Sequence, residues 1–177
     1  MPRRIRKLAP ADLKDAALDY LARYAASTAR LRQVIKRRIQ RSAKANELDP
    51  QPLLDELERV IAMLTRTGLL NDAAFAEGRV RSLNRRGGSR RQIAAKLAAA
   101  GVAQAMTAHA LAGLDEEQPE AEFAAALAYA KRRRLGAYRT PVDSSPERRR
   151  KDLMSMARAG FALDLARRAL AGEEAVA

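Results

Sequence analysis

Residues 71–102 open with Asn71-Asp72-Ala73-Ala74-Phe75-Ala76. They run through an arginine-rich stretch to Arg85-Arg86-Gly87-Gly88-Ser89-Arg90-Arg91-Gln92-Ile93, then reach Leu97 and Gly101-Val102. Asn71 has the chemistry of a helix cap, and Phe75, Val80 and Leu83 follow at helical spacing. Gly87-Gly88 stops that helix. Ser89-x-x-Gln92 is a capping box for the next, which carries Ile93 and Leu97 and stops at Gly101. The same order returns at Phe123-Ala124, Arg133-Arg134, Gly136, Arg149-Arg150, Met156 and Gly160-Phe161. A shift of 48 superposes Phe75-Ala76, Arg85-Arg86 and Gly88 on their counterparts, and a shift of 59 superposes Arg90-Arg91 and Ala100-Gly101. The change of shift places an insertion around Tyr138–Glu147. A weaker copy opens the chain, with Leu31 and Ile35 matching Ile93 and Leu97 at a shift of 62. A copied supersecondary unit must stack on its neighbours to bury its apolar face.

The remaining periodic segments are also helical. Asp12 is the expected cap of a first helix carrying Leu13, Ala17, Tyr20, Leu21 and Tyr24. Ser27-Thr28 restarts the chain toward Leu31, Val34, Ile35 and Ile39. Asp49-Pro50 starts a third helix, whose Leu53, Leu54, Leu57, Val60, Ile61 and Leu64 form the strongest apolar stripe. Leu69-Leu70 is expected to pack in the core, Val102, Met106 and Leu111 line a further helix, and Leu163, Leu165-Ala166 and Leu170 form the last apolar face. Ser144-x-x-Glu147 is read as a second capping box. No strand-like alternation occurs. The expectation is an all-α chain: a basic tail at 1–11, then repeats at 12–70, 71–116 and 117–177.

Alanine supplies much of the 47% apolar content, so a thin helical stack is expected rather than one large core. Cysteine is absent, which excludes disulfides and thiolate metal sites. No apolar run of 18 residues occurs, and Met1-Pro2-Arg3-Arg4-Ile5-Arg6-Lys7 has no apolar segment behind it, so a cytoplasmic protein without membrane contact is expected. The net charge of +13 points to polyanions or acidic protein surfaces. The charge is segregated: residues 78–101 hold seven bases and no acid, whereas 115–122 hold five acids and no base. The latter reads as a solvated acidic spacer.

Catalysis finds little support. His109 is the single histidine and lies among alanines, where a surface or packing role is the simpler reading. The acids at 115–122 read more easily as a linker than as metal ligands. The Gly87-Gly88 turn lacks the spacing and the preceding strand of a phosphate loop. No enzyme, metal or cofactor is expected. The basic clusters remain. Arg85, Arg86, Arg90 and Arg91 flank a tight turn at a helix N-terminus, a place that favours anions. Lys131, Arg132, Arg133, Arg134, Arg148, Arg149, Arg150 and Lys151 hold the equivalent places in the last copy, and Arg37, Arg38 and Arg41 those in the first. These clusters, apart from the first-copy set, are the candidate partner- and nucleic-acid-binding residues. Scarce aromatics argue against base-specific readout of single strands.

The Asn-Asp-x-x-Phe-Ala start, the Arg-Gly-Gly-Ser-Arg-Arg-Gln-Ile turn and the terminal Arg158-Ala159-Gly160-Phe161 together resemble the RecX family, bacterial regulators of the RecA recombinase. The resemblance covers roughly residues 14–172, and 68–102 is its most specific part. It implies three tandem three-helix repeats in an elongated, curved rod. It further implies a non-enzymatic regulator, mainly an inhibitor, seated in the groove of the RecA filament on single-stranded DNA. Direct DNA binding would be weak and salt-sensitive. The chain departs from the family in its basic N-terminal tail, in its adjacent turn glycines and in its weak first repeat. The alternative is a general nucleic-acid-binding helical protein acting without RecA.

Overall fold

The computed structural model describes residues 6–141, 143 and 145–172, and among them the regular elements are all helical. The order is α1 (Ala11–Leu21), α2 (Thr28–Ala45), α3 (Gln51–Arg66), α4 (Asp72–Arg85), α5 (Arg90–Ala99), α6 (Gln104–Glu117), α7 (Ala121–Arg133), a short 3-10 turn (Gly136–Tyr138), α8 (Pro146–Ala159) and α9 (Leu163–Ala171). The expected all-α class holds, with helices in successive threes. The described residues contain no helix long and apolar enough to cross a membrane.

Two compact units are present. The first comprises the residues up to Phe75 together with Ala100–Val102. In it α1, α2 and α3 pack on one another around Leu13, Leu31, Ile35, Ile39, Leu57, Ile61 and Leu64. The α3 stripe is buried as its period predicts, and Leu57 is only 1% exposed. The second comprises Ala76–Ala99 and the residues from Ala103 onward. There α7, α8 and α9 enclose Ala126, Tyr129, Met156, Phe161 and Ala166, with the Tyr129 and Phe161 rings edge to face at 5.6 Å.

The helix ends follow the local chemistry of the sequence. Asn71 Oδ1 accepts from the amides of Ala73 and Ala74, and Asp49 Oδ1 from that of Gln51. Ser27 Oγ accepts from Arg30 N and Ser89 Oγ from Gln92 N. Gly68, Gly87, Gly101 and Gly160 all take positive φ. Several expectations are corrected. Asp12 lies inside the first turn of α1; its carboxylate accepts from Ala9 N and pairs with Arg6 instead of standing at the cap position. Ser145, not Ser144, caps α8 by accepting from Arg148 N, and Ser144 itself lies outside the described residues. Leu69 is exposed while Leu70 is buried, because the chain turns at Gly68 and only one of two successive side chains can face inward. Tyr24, Met106 and Leu163 are likewise exposed. Tyr24 lies beyond the end of α1, and the other two sit on the outer sides of the first turns of α6 and α9.

One junction is built twice. In the first unit Ser27 Oγ donates to the Ala100 carbonyl, and Thr28 N donates to Asp72 Oδ1 at 2.7 Å. In the second unit Ser89 Oγ donates to the Ala159 carbonyl at 2.5 Å, and Arg90 N donates to the Glu122 carboxylate at 3.1 Å. Ser27 and Ser89 are both fully buried. The residue after each accepting alanine is a left-handed glycine packed tightly on the capped helix. A Cβ on Gly101 would collide with Ala29, and one on Gly160 would lie 2.8 Å from Ser89 Oγ. Each serine thus does two jobs: it caps its own helix and satisfies a carbonyl at the end of another helix that has no intrahelical donor. The repetition detected at shifts of 59 and 62 is therefore also a repetition of hydrogen bonds.

Candidate partner and nucleic-acid interface

The α4–α5 turn is fixed by backbone geometry before any arginine is considered. Gly87 N donates to Asn84 O at 2.7 Å and Gly88 N to Leu83 O at 2.9 Å. Gly87 has φ 77°, and a Cβ there would lie 2.6 Å from the Tyr129 amide nitrogen, so the turn can approach α7 only with glycine. Asn84, 5% exposed, secures the approach by donating to the Ala121 carbonyl at 3.0 Å. Arg85 and Arg86 are thereby held on the exposed side.

At the last turn of α7, Lys131, Arg132 and Arg133 gather over two tyrosines. The Lys131 ammonium lies 5.5 Å from the Tyr138 ring centre, and the Arg132 and Arg133 guanidiniums lie 5.6 and 5.7 Å from that of Tyr129. Such cation–ring contacts orient the cations while leaving them exposed. Burial pushes the Tyr129 phenol up, but the Ser155 hydroxyl and the Arg133 and Arg132 guanidiniums outweigh it and bring the group below its ordinary range. Arg132 also donates to the Arg86 carbonyl, which joins the end of α7 to the α4–α5 turn. Arg134 ends the helix in the left-handed conformation. The structure therefore brings Arg85, Arg86, Arg132 and Arg133 to one exposed place.

Arg90 and Arg91 behave differently. The Arg90 guanidinium pairs with Asp115, and its amide, at the α5 N-terminus, is occupied by Glu122. Burial raises Glu122 above the usual carboxylate range, more than the Arg90 amide and charge pull it down. This corrects two expectations. The helix N-terminus beside Gly87-Gly88 is not an open anion site, because the chain's own carboxylate fills it. The acidic stretch is not a free spacer either. Arg81 makes a bidentate pair with Glu117, at 2.7 and 3.2 Å, and Arg168 pairs with Glu120 at 3.0 Å while lying 3.7 Å from the Phe123 ring centre. Arg91 reaches the Arg158 carbonyl at 3.5 Å.

Arg148, Arg149, Arg150 and Lys151 lie on the first turns of α8. Arg148 pairs with Asp143 at 3.5 Å, and Arg149 lines a cavity of about 420 Å³ with Gly136, Asp152, Arg167 and Leu170. Among the described residues no hydrogen bond or ion pair joins this group to the Gly87-Gly88 turn. Asp152, at the next turn, is 4% exposed; it accepts from Gly136 N at 2.9 Å and from Arg139 Nη2 at 2.6 Å. Sequence reasoning missed Asp152, Asn84 and Asp72 as structural residues. The one signal for Asp152 was a lone acid inside a basic run. His109 is exposed on α6.

The arrangement presents exposed cations at the α4–α5 turn and at the end of α7. The profile of the RecX second three-helix domain matches residues 71–111. A regulatory protein RecX from Myxococcus xanthus (strain DK1622) is 40% identical over 169 residues, covering 96% of this chain and 89% of that protein. One from Agrobacterium fabrum (strain C58 / ATCC 33970) is 35% identical over 102 residues, 58% of this chain and 52% of its own length. The crystal structure of RecX from Lactobacillus salivarius superposes with a TM-score of 0.65 at 22% identity, covering 91% of this chain and 94% of its own. A second RecX crystal structure gives 0.61 at 19% identity, covering 89% and 70%. These two share the fold. On the identity and coverage of the Myxococcus protein, this chain belongs to the RecX family of regulatory proteins.

Proposed function

We propose that this protein regulates RecA, mainly as an inhibitor, by seating in the groove of the RecA–single-stranded DNA filament. There it obstructs incoming duplex DNA and strand exchange, and lowers the ATPase and coprotease activities that depend on the filament. The observation that carries the reading is near-full-length similarity to a regulatory protein RecX. The site chemistry supports it: exposed arginines at the α4–α5 turn and the α7 end give a helical polymer several weak contacts, which one chain combines through effective concentration. RecA and single-stranded DNA are the partners in this reading, in the cytoplasm.

The test is RecA strand exchange and DNA-dependent ATP hydrolysis with the parent and with Arg85→Glu/Arg86→Glu. Both side chains are exposed and, among the described residues, outside the ion pairs, so the fold is expected to be kept. Arg90 is left unchanged, because a glutamate there would face Asp115 and Glu122. The variant is expected to lose inhibition. A folded variant that inhibits like the parent refutes this placement. A parent without effect on RecA refutes the function, and the general nucleic-acid-binding reading replaces it.

A further inference from the structure

The second unit matches many of its cations with its own acids; the first unit leaves one helix face unmatched. On α2, Arg30, Arg37, Arg41 and Lys44 recur at intervals of seven, four and three. At 3.6 residues per turn they fall within about 60° of one another, roughly opposite buried Leu31, Ile35 and Ile39. The four are exposed, and they run about 21 Å along the helix at 1.5 Å per residue. Among the described residues none of them forms an ion pair; the one arginine of α2 that does, Arg32, points elsewhere, to Glu58 at 2.8 Å. Arg41 Nε instead donates to the Arg37 carbonyl, and Arg30 to Gln33. Beside the stripe, Arg38 and Arg41 line a cleft of about 180 Å³ with Arg6, Leu8 and Ser42. Arg6 itself holds Asp12 at 3.0 Å.

Like charges three and four residues apart on a helix repel, and among the described residues no carboxylate pairs with this face to offset that cost. An external polyanion removes that repulsion. The face also lacks what a protein interface needs: its remaining members, Gln33, Gln40 and half-buried Val34, supply no aromatic or large apolar anchor. Cations repeated along about 21 Å with polar residues between them suit a chain of phosphates, which falls every 3.4 Å along one strand.

We propose that the outward face of α2, with Arg30, Arg37, Arg41 and Lys44, is a track for the phosphate backbone of nucleic acid. It is a contact surface separate from the α4–α5 turn and independent of RecA. The arginines of the turn then engage the protein partner, and α2 carries the nucleic acid. This deepens the RecA reading but is tested without RecA.

The experiment measures anisotropy of labelled oligo-dT, and of a duplex of equal length, against salt. Arg30→Gln/Arg37→Gln/Arg41→Gln/Lys44→Gln should flatten the slope of log affinity against log salt by about 3 for the single strand, at roughly 0.7 per phosphate contact. Lys14→Gln/Arg23→Gln/Arg66→Gln, exposed cations elsewhere in the same unit, should leave the parent slope. Gln33→Glu/Gln40→Glu keeps every cation but places carboxylates four residues before Arg37 and Lys44. That arrangement supports the helix and competes with phosphates, so weaker binding by a folded protein is expected even if the first variant fails to fold. Equal flattening per charge in the stripe and control variants overturns the proposal, leaving bulk charge alone. An unchanged slope in the folded stripe variant overturns it too, as does undiminished binding by Gln33→Glu/Gln40→Glu. Stronger loss on duplex than on oligo-dT assigns the track to duplex DNA. A parent that binds oligo-dT as described but leaves RecA unaffected removes the RecA reading and keeps this surface.

Discussion

Replacing Ser89 by alanine tests the repeated junction. Its hydroxyl accepts from Gln92 N at 3.2 Å and donates to the Ala159 carbonyl at 2.5 Å, in a fully buried position. Losing the cap costs about 1 kcal/mol. Leaving the Ala159 carbonyl, on a residue 3% exposed, without a donor costs about 1–3 kcal/mol more. The total of about 2–4 kcal/mol corresponds to a fall in Tm of roughly 5–15 °C for a chain of this size. Ser145→Ala is the internal comparison, because Ser145 caps α8 at 3.3 Å, is exposed, and has as its other partner only the exposed carboxylate of nearby Asp143, with no buried carbonyl left without a donor. Its cost is close to that of the cap, about 1 kcal/mol, because exposed Asp143 can turn to water. Thermal and urea denaturation followed by circular dichroism would read both. If Ser89→Ala shifts the midpoint no more than Ser145→Ala, the bond to Ala159 contributes nothing and the junction argument fails. Ser27→Ala, at the first junction, should behave like Ser89→Ala, since it makes the same pair of bonds.

Leu57→Ala should destabilise the first unit by about 2–5 kcal/mol in urea titrations, while Phe75→Ala, half-buried, should cost less. Asp152→Ala should be severe, roughly 3–5 kcal/mol, because it strands the largely buried Arg139 guanidinium and the Gly136 amide; an unchanged denaturation midpoint would show that both find water. Two acids should respond to pH with opposite sign. Glu122 is raised by burial, so its contribution is present below the ordinary carboxylate pKa and lost as pH climbs through the raised one; parent stability minus that of Glu122→Gln should fall across that window. Glu58 is lowered by its hydrogen bond from Arg32, so its contribution is present above the ordinary pKa and lost as pH drops through the lowered one; parent minus Glu58→Gln should rise with pH there, modestly because the pair is exposed.

Helix positions, glycine stops and most caps could be read from the chain itself, because they rest on interactions over three to five residues. Asn71, Ser89 and Gly160 act as their spacing says, and the α3 stripe is buried as its period says. The repeat was legible for the same reason: copied helices keep copied spacings. Which cations stay free was not legible. Arg90 finds Asp115 25 residues away and Arg81 finds Glu117 36 residues away, and no local period encodes such a partner. The sequence alone placed an anion site at the α5 N-terminus, where backbone dipoles favour negative charge. Tertiary packing filled that site with Glu122, because a carboxylate carried on the start of α7 satisfies the same dipoles at no cost in bringing two molecules together. Local chemistry fixed where the cations and helix ends would be. The pairing of distant helices decided which of them remain for a partner.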